Sequence, residues 1–302
     1  MHKGHLAALT FTVMFGFSYM ASKIALAHVS PIGLVAYRYL FAFITIELFR
    51  RTGLFHLNVR RPKGWTIGLV VLFQPFLYSV FSTFGLNLIT SSEAVMMVAL
   101  VPVLSGLLSA FFLRERPSLR QWLFTFISIS GILYIQVSLQ TVDSTSQPLG
   151  FLFMFLAVMS GAIYNVTSRQ ASKTVQPSEL TYYMMLFGAI SLNALYLGEL
   201  IQAQTLPSYV TNLTSLSLLV PVLFLGIFAT VVAFFMLNYA LSVLPAHRVS
   251  IYANLVTVIG IFAGYVLLNE SLYSFHIIGS MLIVIGVYGT VIKPKVQSPI
   301  PH

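Results

Sequence analysis

The chain has 302 residues, of which 58% are hydrophobic and only 8% are charged. Soluble domains carry about 25% charged residues, so a mean hydropathy of +0.90 excludes a single soluble core and predicts a protein embedded in lipid. The net charge of +9 does not indicate nucleic-acid binding, because the basic residues lie in short loops between apolar runs. There is no cysteine, which excludes disulfides and cysteine-ligated metals, and we expect neither a metal nor a cofactor.

A helix needs about 20 mostly apolar residues to cross a bilayer. Ten such runs, without the alternation of a β-barrel, predict an all-α integral membrane protein. The runs are Leu6–Ala27, Pro31–Phe49, Trp65–Ser82, Ser92–Leu113, Gln121–Leu139, Leu149–Ser168, Ser178–Glu199, Leu216–Leu237, Val249–Leu268 and Leu272–Ile292. We interpret the first run as a retained span, because it is too long for a cleaved signal peptide. Gln74-Pro75 interrupts the third run.

The basic residues predict the orientation of the spans, since cytoplasmic loops are enriched in Lys and Arg. If the ten spans cross the membrane in alternating directions, fourteen of the 16 basic residues lie on the same side as the N-terminus. The other two lie inside spans. The fourteen are Lys3, Arg50, Arg51, Arg60, Arg61, Lys63, Arg114, Arg116, Arg120, Arg169, Lys173, Arg248, Lys293 and Lys295. This split predicts a cell-membrane protein with both termini in the cytoplasm.

The two halves of the chain resemble each other. Matched residues lie 145 positions apart near the start of each half and 155 apart near its end: Gly16 and Gly161, Tyr19 and Tyr164, Glu115 and Glu270, Gly131 and Gly286. We predict a first repeat over residues 1–140, a second over 141–293 and a short tail over 294–302. Five spans per repeat insert the second copy upside down, a 5+5 inverted-topology design typical of alternating-access transporters. The alternative is that duplication only builds a large bundle.

Several short segments resemble one known family. They are Ala99-Leu-Val-Pro102, Leu113-Arg-Glu-Arg-Pro117, Gln121-Trp122 and Gly131 in the first half, and Asn254-Leu-Val-Thr257, Leu268-Asn-Glu270 and Ile285-Gly286 in the second. These segments resemble the EamA family of the drug/metabolite transporter superfamily. The resemblance implies the ten-helix fold and transport of small organic solutes, often the export of amino acids or other metabolites. Thr257 and Asn254 depart from the family pattern. The resemblance therefore predicts the fold and does not predict which substrate is bound.

Polar residues at bilayer depth usually face the bundle interior or a wet cavity. On this basis the predicted substrate-binding residues are Tyr19, Arg38, Gln74, Tyr78, Met97, Tyr164, Asn165, Tyr252 and Asn254, and the predicted gating or packing residues are Lys23, Gly16, Gly161 and Pro75. Alternatives remain open. The glycines and Met97 also suit helix packing, Lys23 can extend to the headgroups, and Arg38 can do the same, bind a substrate carboxylate or fix an external gate.

The positions of the charged residues reduce the number of transporter classes that fit the chain. No carboxylate lies near the middle of a predicted span, which argues against a proton antiporter and against a cationic substrate. We therefore expect a secondary transporter for a neutral, zwitterionic or weakly anionic metabolite. A multidrug or cation–proton antiporter of the same fold and a channel-like protein are the alternatives. The chain lacks the residue sets of intramembrane enzymes. We expect the bilayer and a small-molecule substrate as partners, and the sequence is compatible with a homodimer.

Overall fold

The computed structural model describes residues 2–53, 65–86, 88, 97–98, 100–115, 117–139, 148–268 and 273–291. Within these ranges the chain is helical and has no strand. The helices are α1 His2–Leu26, α2 Pro31–Arg51, α3 Trp65–Val71, α4 Tyr78–Leu86, α5 Val101–Leu108, α6 Leu119–Leu139, α7 Pro148–Ala171, α8 Pro177–Gln202, α9 Ser208–Thr211, α10 Leu216–Gly226, α11 Ala233–Val243, α12 Ala246–Tyr252, α13 Leu255–Leu268 and α14 Ser274–Val291. Three π-helical segments connect to or extend them: Leu72–Leu77, Ser109–Leu113 and Ile227–Val232.

Helix is the expected state for this chain because lipid offers backbone groups no hydrogen-bond partner, so each segment must satisfy its own. The helix ends follow the sequence. Helix α2 begins where the Ser30 hydroxyl accepts a hydrogen bond from the Gly33 backbone N–H at 3.1 Å, and Pro31 occupies the first turn, where no backbone donor is needed. Pro177 starts α8 in the same way.

Among the residues that the structure describes, seven helical stretches are long and apolar enough to cross a membrane. They are His2–Leu26, Pro31–Arg51, Trp65–Gly85, Pro148–Ala171, Pro177–Gln202, Leu216–Val243 and Ala246–Ala263. Shorter apolar helices occupy Val101–Leu113, Leu119–Ile135 and Ser274–Thr290. The all-helical membrane class is therefore confirmed. Every predicted run contains helix in its described residues, and the count of ten spans stays a prediction.

The helix contacts repeat when the two halves are exchanged. In the predicted repeat, α1 corresponds to α7, α2 to α8, α3 and α4 to α10 and α11, α5 to α13, and α6 to α14. The contact of α4 with α7 then corresponds to that of α1 with α11, and the contact of α5 with α7 to that of α1 with α13. The α2–α8 and α6–α14 contacts each correspond to themselves. Much of the buried core lies at these contacts between halves, with side chains such as Phe11, Tyr39 and Met184 fully buried.

Two of the π segments also correspond. Leu72–Leu77 and Ile227–Val232 are separated by the same 155 positions that separate the matched glutamates. The first segment contains Gln74-Pro75, where a cis peptide bond and the extended backbone of Gln74 (φ −142°, ψ 119°) interrupt the helix. The second keeps helical angles at its ends and has no proline. The halves thus carry an irregular turn at the same place, with different local geometry.

Candidate functional site

Gly16 and Gly161, which the sequence pairs, have different neighbours. A β-carbon on Gly16 would overlap the side chain of Ile259 in α13, whose Cβ would lie 2.6 Å away. The same atom on Gly161 would lie 3.4 Å from the ring of Tyr78 in α4, an ordinary contact. Gly16 is therefore a tight packing position, whereas Gly161 and Tyr78 are two predicted residues that the fold brings together.

Arg38 reaches across from α2 to the π segment of the second half. Its Nε donates to the hydroxyl of Thr230, and its Nη2 donates to the carbonyl of Ala229 at 2.7 Å. Thr230 is fully buried, so the guanidinium is directed into the protein and does not simply extend to the headgroups. Ala229 and Thr230 stand 155 positions after Gln74 and Pro75, so Arg38 binds the second-half counterpart of the proline kink.

Two asparagines join the halves through serines. Asn165 in α7 donates to the Ser105 hydroxyl in α5 at 3.1 Å. Asn254, in the break between α12 and α13, donates to the Ser128 hydroxyl in α6 at 3.0 Å. All four residues are buried. Both predicted asparagines therefore lie at contacts between halves, where a change in the packing of the halves would release their amides.

Tyr164 belongs to a polar cluster that the sequence analysis did not find. Its hydroxyl donates to Oδ1 of Asn238 at 2.9 Å, and Ser168 donates to the same atom at 2.7 Å. The amide nitrogen of Asn238 donates to the Thr181 hydroxyl at 2.9 Å. This cluster ties α7, α8 and α11 together within the second half. The predicted eighth span ended at Leu237, which placed Asn238 outside the membrane, whereas α11 continues to Val243.

A second feature that the sequence did not predict is an aromatic cluster where α2 contacts α8 and α9. The hydroxyl of Tyr37 donates to the backbone carbonyl of Tyr209 at 2.7 Å, and the hydroxyl of Tyr209 donates to Oδ1 of Asn193 at 2.7 Å. The rings of Tyr37 and Tyr196 lie edge to face, 5.4 Å apart. Burial raises the pKa of Tyr209, so its hydroxyl stays protonated and keeps donating.

Other predicted site residues lie apart from one another. The Tyr252 hydroxyl is 2.9 Å from Nδ1 of His5 in α1. Met97 packs against Met154 in α7, as the packing alternative expects. Pro75 approaches α8, because a β-carbon on Gly188 would lie 2.8 Å from its Cγ. Gln74 is buried beside it. The side chains of Tyr19 and Lys23 lie outside the described part of the structure.

In the described part of the chain, the predicted site residues are spread over several helix contacts. A groove of about 480 Å³ runs between α13 and α14, but its lining is mostly apolar, with His276 and Ser280 as polar members, and includes none of the predicted site residues. Phe262 and Met281 in this lining are each 60% exposed, so the groove opens on the outer face of the bundle. Within the described residues no three His, Asp or Glu side chains are grouped as metal ligands. The polar pairs between the halves are therefore the candidate site.

Comparison with known proteins shows the family to which the chain belongs. The sequence profile of the EamA-like transporter family matches residues 2–137 and matches again at residues 148–292. The chain belongs to the EamA-like transporter family. The resemblance noted in its motifs is confirmed, and the family assignment identifies an integral membrane protein of the transporter class.

Relatives of the chain in the EamA-like family carry transporter names. The uncharacterized transporter YcxC of Bacillus subtilis (strain 168) is 32% identical over 98% of this chain and 95% of its own length. An uncharacterized transporter of Archaeoglobus fulgidus is 29% identical over 97% of this chain and all of its own. A probable amino-acid metabolite efflux pump of Escherichia coli (strain K12) is 23% identical over 95% and 94%.

One solved crystal structure superposes with a TM-score of 0.78 at 18% identity, over 96% of this chain and 97% of that one. At this identity the superposition shows a shared fold.

Proposed function

We propose that this protein is a secondary transporter that exports a small organic metabolite by alternating access. The observation that carries the proposal is duplication. The family profile matches each half separately, and the helix contacts are kept when the halves are exchanged. A bundle of ten helices in two inverted five-helix repeats accounts for both. We propose one repeat over residues 1–140 and one over 141–293, and the separate profile matches at 2–137 and 148–292 support this division.

Inverted repeats support alternating access through their symmetry. If the two halves adopt different conformations around a shared site, the site opens to one side, and exchanging the conformations opens it to the other at similar energy. The different surroundings of Gly16 and Gly161 support such a difference between the halves. Residues of π segments are frequent at functional sites, and the two matched segments, Leu72–Leu77 and Ile227–Val232, are the proposed bending points.

The polar contacts between the halves support the class of substrate. Arg38 binds Thr230 and the carbonyl of Ala229 through two different nitrogens. A guanidinium presents paired donors that match a carboxylate in geometry and charge, so a substrate carboxylate can take over this position when the halves separate. Asn165, Asn254 and Tyr78 add neutral donors and acceptors at other contacts between the halves. We therefore propose a zwitterionic or weakly anionic solute, of the amino-acid type named for the Escherichia coli relative.

Counterflow in proteoliposomes tests the proposal. Purified protein is first screened by thermal shift against amino acids, nucleosides and organic acids, and stabilising compounds are then used as labelled solute on one side and unlabelled solute on the other. A carrier gives uptake that saturates and that rises with unlabelled solute on the opposite side. Flux that is linear in concentration and indifferent to that solute would indicate a channel and overturn the proposal.

The same vesicles distinguish a proton antiporter. We expect an imposed pH gradient to drive no net accumulation of the solute, with protein-free liposomes as the blank. Accumulation that requires an imposed gradient, and that extends to cationic drugs, would contradict the proposed substrate class and favour the antiporter.

A further inference from the structure

Glu115 and Arg169 form an ion pair between the halves. Arg169, in the last turn of α7, donates from Nε to Oε1 of Glu115 at 3.0 Å. Glu115 follows the π segment Ser109–Leu113, and Arg114 between them has a left-handed backbone (φ 57°) that ends the helix. Both charged side chains are partly exposed, Arg169 at 20% and Glu115 at 23%. The pair therefore lies at the surface at one end of the bundle, the end predicted to face the cytoplasm.

Each partner is bound to a different set of neighbours. Nη1 of Arg169 donates to the carbonyls of Leu241 and Ser242, at 3.1 and 2.7 Å, in the last turn of α11. These carbonyls carry the negative end of the helix dipole, which favours a cation. Arg169 is thereby fixed to the second half. The other oxygen of Glu115, Oε2, accepts a hydrogen bond from the backbone N–H of Ala246 at 3.3 Å. One carboxylate from the first half thus joins α7 and α12.

We infer that the Glu115–Arg169 ion pair is a latch that holds the cytoplasmic side of the transporter closed and breaks when that side opens. This inference rests on the proposed alternating access and on the predicted orientation. The partial exposure of both side chains supports it, because breaking a buried pair would leave unsolvated charges at great cost, whereas separation at this surface lets water solvate both. Arg169 keeps its two carbonyl partners after separation, so the second half stays intact while the first half moves away.

The absence of cysteine from the chain allows a direct test by single-cysteine labelling. Ser109 is fully buried, and its hydroxyl donates to the backbone carbonyls of Gly106 and Glu115 at 3.0 and 3.4 Å, so Ser109→Cys places a thiol directly against the latch. Labelling of the full-length protein with a membrane-impermeant maleimide is measured in inside-out vesicles, which expose the cytoplasmic face, without substrate. The protein that carries Ser109→Cys and no other substitution is the reporter, and its labelling rate is the reference rate.

Glu115→Gln and Arg169→Gln, each in the reporter background, should raise the labelling rate about tenfold, which corresponds to about 1.4 kcal/mol of lost closure. Arg169→Lys keeps a cation beside Glu115 and the two carbonyls in the last turn of α11, and its rate should stay closer to the reference. Arg51→Gln is the matched control, because Arg51 is 73% exposed and bonds Glu47 within α2 at 2.8 Å, and it should leave labelling unchanged. Size-exclusion profiles show that each variant is folded.

An unchanged rate in folded Glu115→Gln and Arg169→Gln would overturn the latch, and so would an equal rise in Arg51→Gln. A rise in the labelling rate seen only in right-side-out vesicles would place the ion pair on the external face and contradict a cytoplasmic latch. Because labelling needs no substrate, the outcome is separate from counterflow. Counterflow without a labelling change removes the latch alone, and a labelling change without counterflow in any tested solute removes the carrier proposal.

Discussion

Gly131 and Gly286 meet the opposite helix in the same way. A β-carbon on Gly131 would lie 2.6 Å from the backbone oxygen of Gly279 in α14, and one on Gly286 would lie 2.6 Å from the backbone oxygen of Phe124 in α6. Phe124 and Gly279 are 155 positions apart, as Gly131 and Gly286 are. The α6–α14 contact therefore repeats itself when the halves are exchanged, and small residues allow the two backbones this close approach.

Gly131→Ala should destabilise the protein, because the added methyl group would overlap a backbone that cannot rotate away. Overpacking of this kind costs about 1–3 kcal/mol. Gly198→Ala in α8 is the matched control, since nothing lies within 4 Å of its β-carbon and alanine is favoured over glycine in a helix by about 0.5–1 kcal/mol. Thermal unfolding in detergent measures both. A Gly131→Ala protein as stable as Gly198→Ala would contradict the close α6–α14 contact.

Gly16→Ala and Gly161→Ala should differ although the sequence pairs these glycines. The methyl group at position 16 would overlap Ile259, whereas at position 161 it would make an ordinary contact with Tyr78. We expect Gly16→Ala to lower the free energy of unfolding by about 1–2 kcal/mol and Gly161→Ala to leave it unchanged or raise it slightly. Thermal unfolding of the two single variants checks this. Equal destabilisation would mean that the halves share one conformation.

The sequence predicted the membrane class and the family because hydrophobic runs and repeated motifs are properties of the chain itself. The pairing of Gly131 with Gly286 came from the same repeat, and the structure adds which atoms they approach. Hydrogen-bond partners that lie in opposite halves of the chain could not be predicted in this way. Nothing local to Asn165 indicates that Ser105 accepts its hydrogen bond, since that depends on how α5 and α7 pack.

Asn238 shows a different failure. The hydropathy of the run falls at its end, so the predicted span stopped at Leu237, yet the polar side chain is buried because Tyr164, Ser168 and Thr181 satisfy it. Hydropathy scores a polar residue as if it faced solvent or lipid, and it cannot register partners from other helices. Polar residues one or two positions beyond a predicted span are therefore worth treating as interior candidates.

Asn238→Ala should destabilise the second half, because it removes two acceptor and two donor contacts at a fully buried position. Leaving buried partners without hydrogen bonds costs about 1–3 kcal/mol for each group that finds no replacement. Gln202→Ala at the exposed end of α8 is the control and should stay within about 0.5 kcal/mol of the parent. Thermal unfolding measures both. Parent-like stability of Asn238→Ala would show that the cluster is dispensable.

The predicted orientation can be tested with two loop cysteines on either side of α8. Thr174 and Thr205 are both exposed and flank this helix. We expect a membrane-impermeant maleimide to label Thr205→Cys in right-side-out vesicles and Thr174→Cys only in inside-out vesicles, because the basic residues Arg169 and Lys173 adjoin the first loop. The cysteine-free parent gives the background. The reverse pattern would place the N-terminus outside, and labelling of both from one face would contradict a single crossing by α8.

Arg38 and Tyr78 should matter for transport more than for folding. Arg38→Ala removes the paired donors proposed to hold a substrate carboxylate, and charge-assisted hydrogen bonds contribute about 1.5–3 kcal/mol, so apparent affinity in counterflow should fall about tenfold to a hundredfold. Arg38→Lys keeps the charge without the planar fork and should recover only part of the loss. Tyr78→Phe should reduce uptake less. Arg51→Ala, which alters a side chain 73% exposed at the end of α2, is the control. Parent uptake in folded Arg38→Ala and Tyr78→Phe would exclude both residues from the site, since neither the charge nor the hydroxyl would then be needed by the solute.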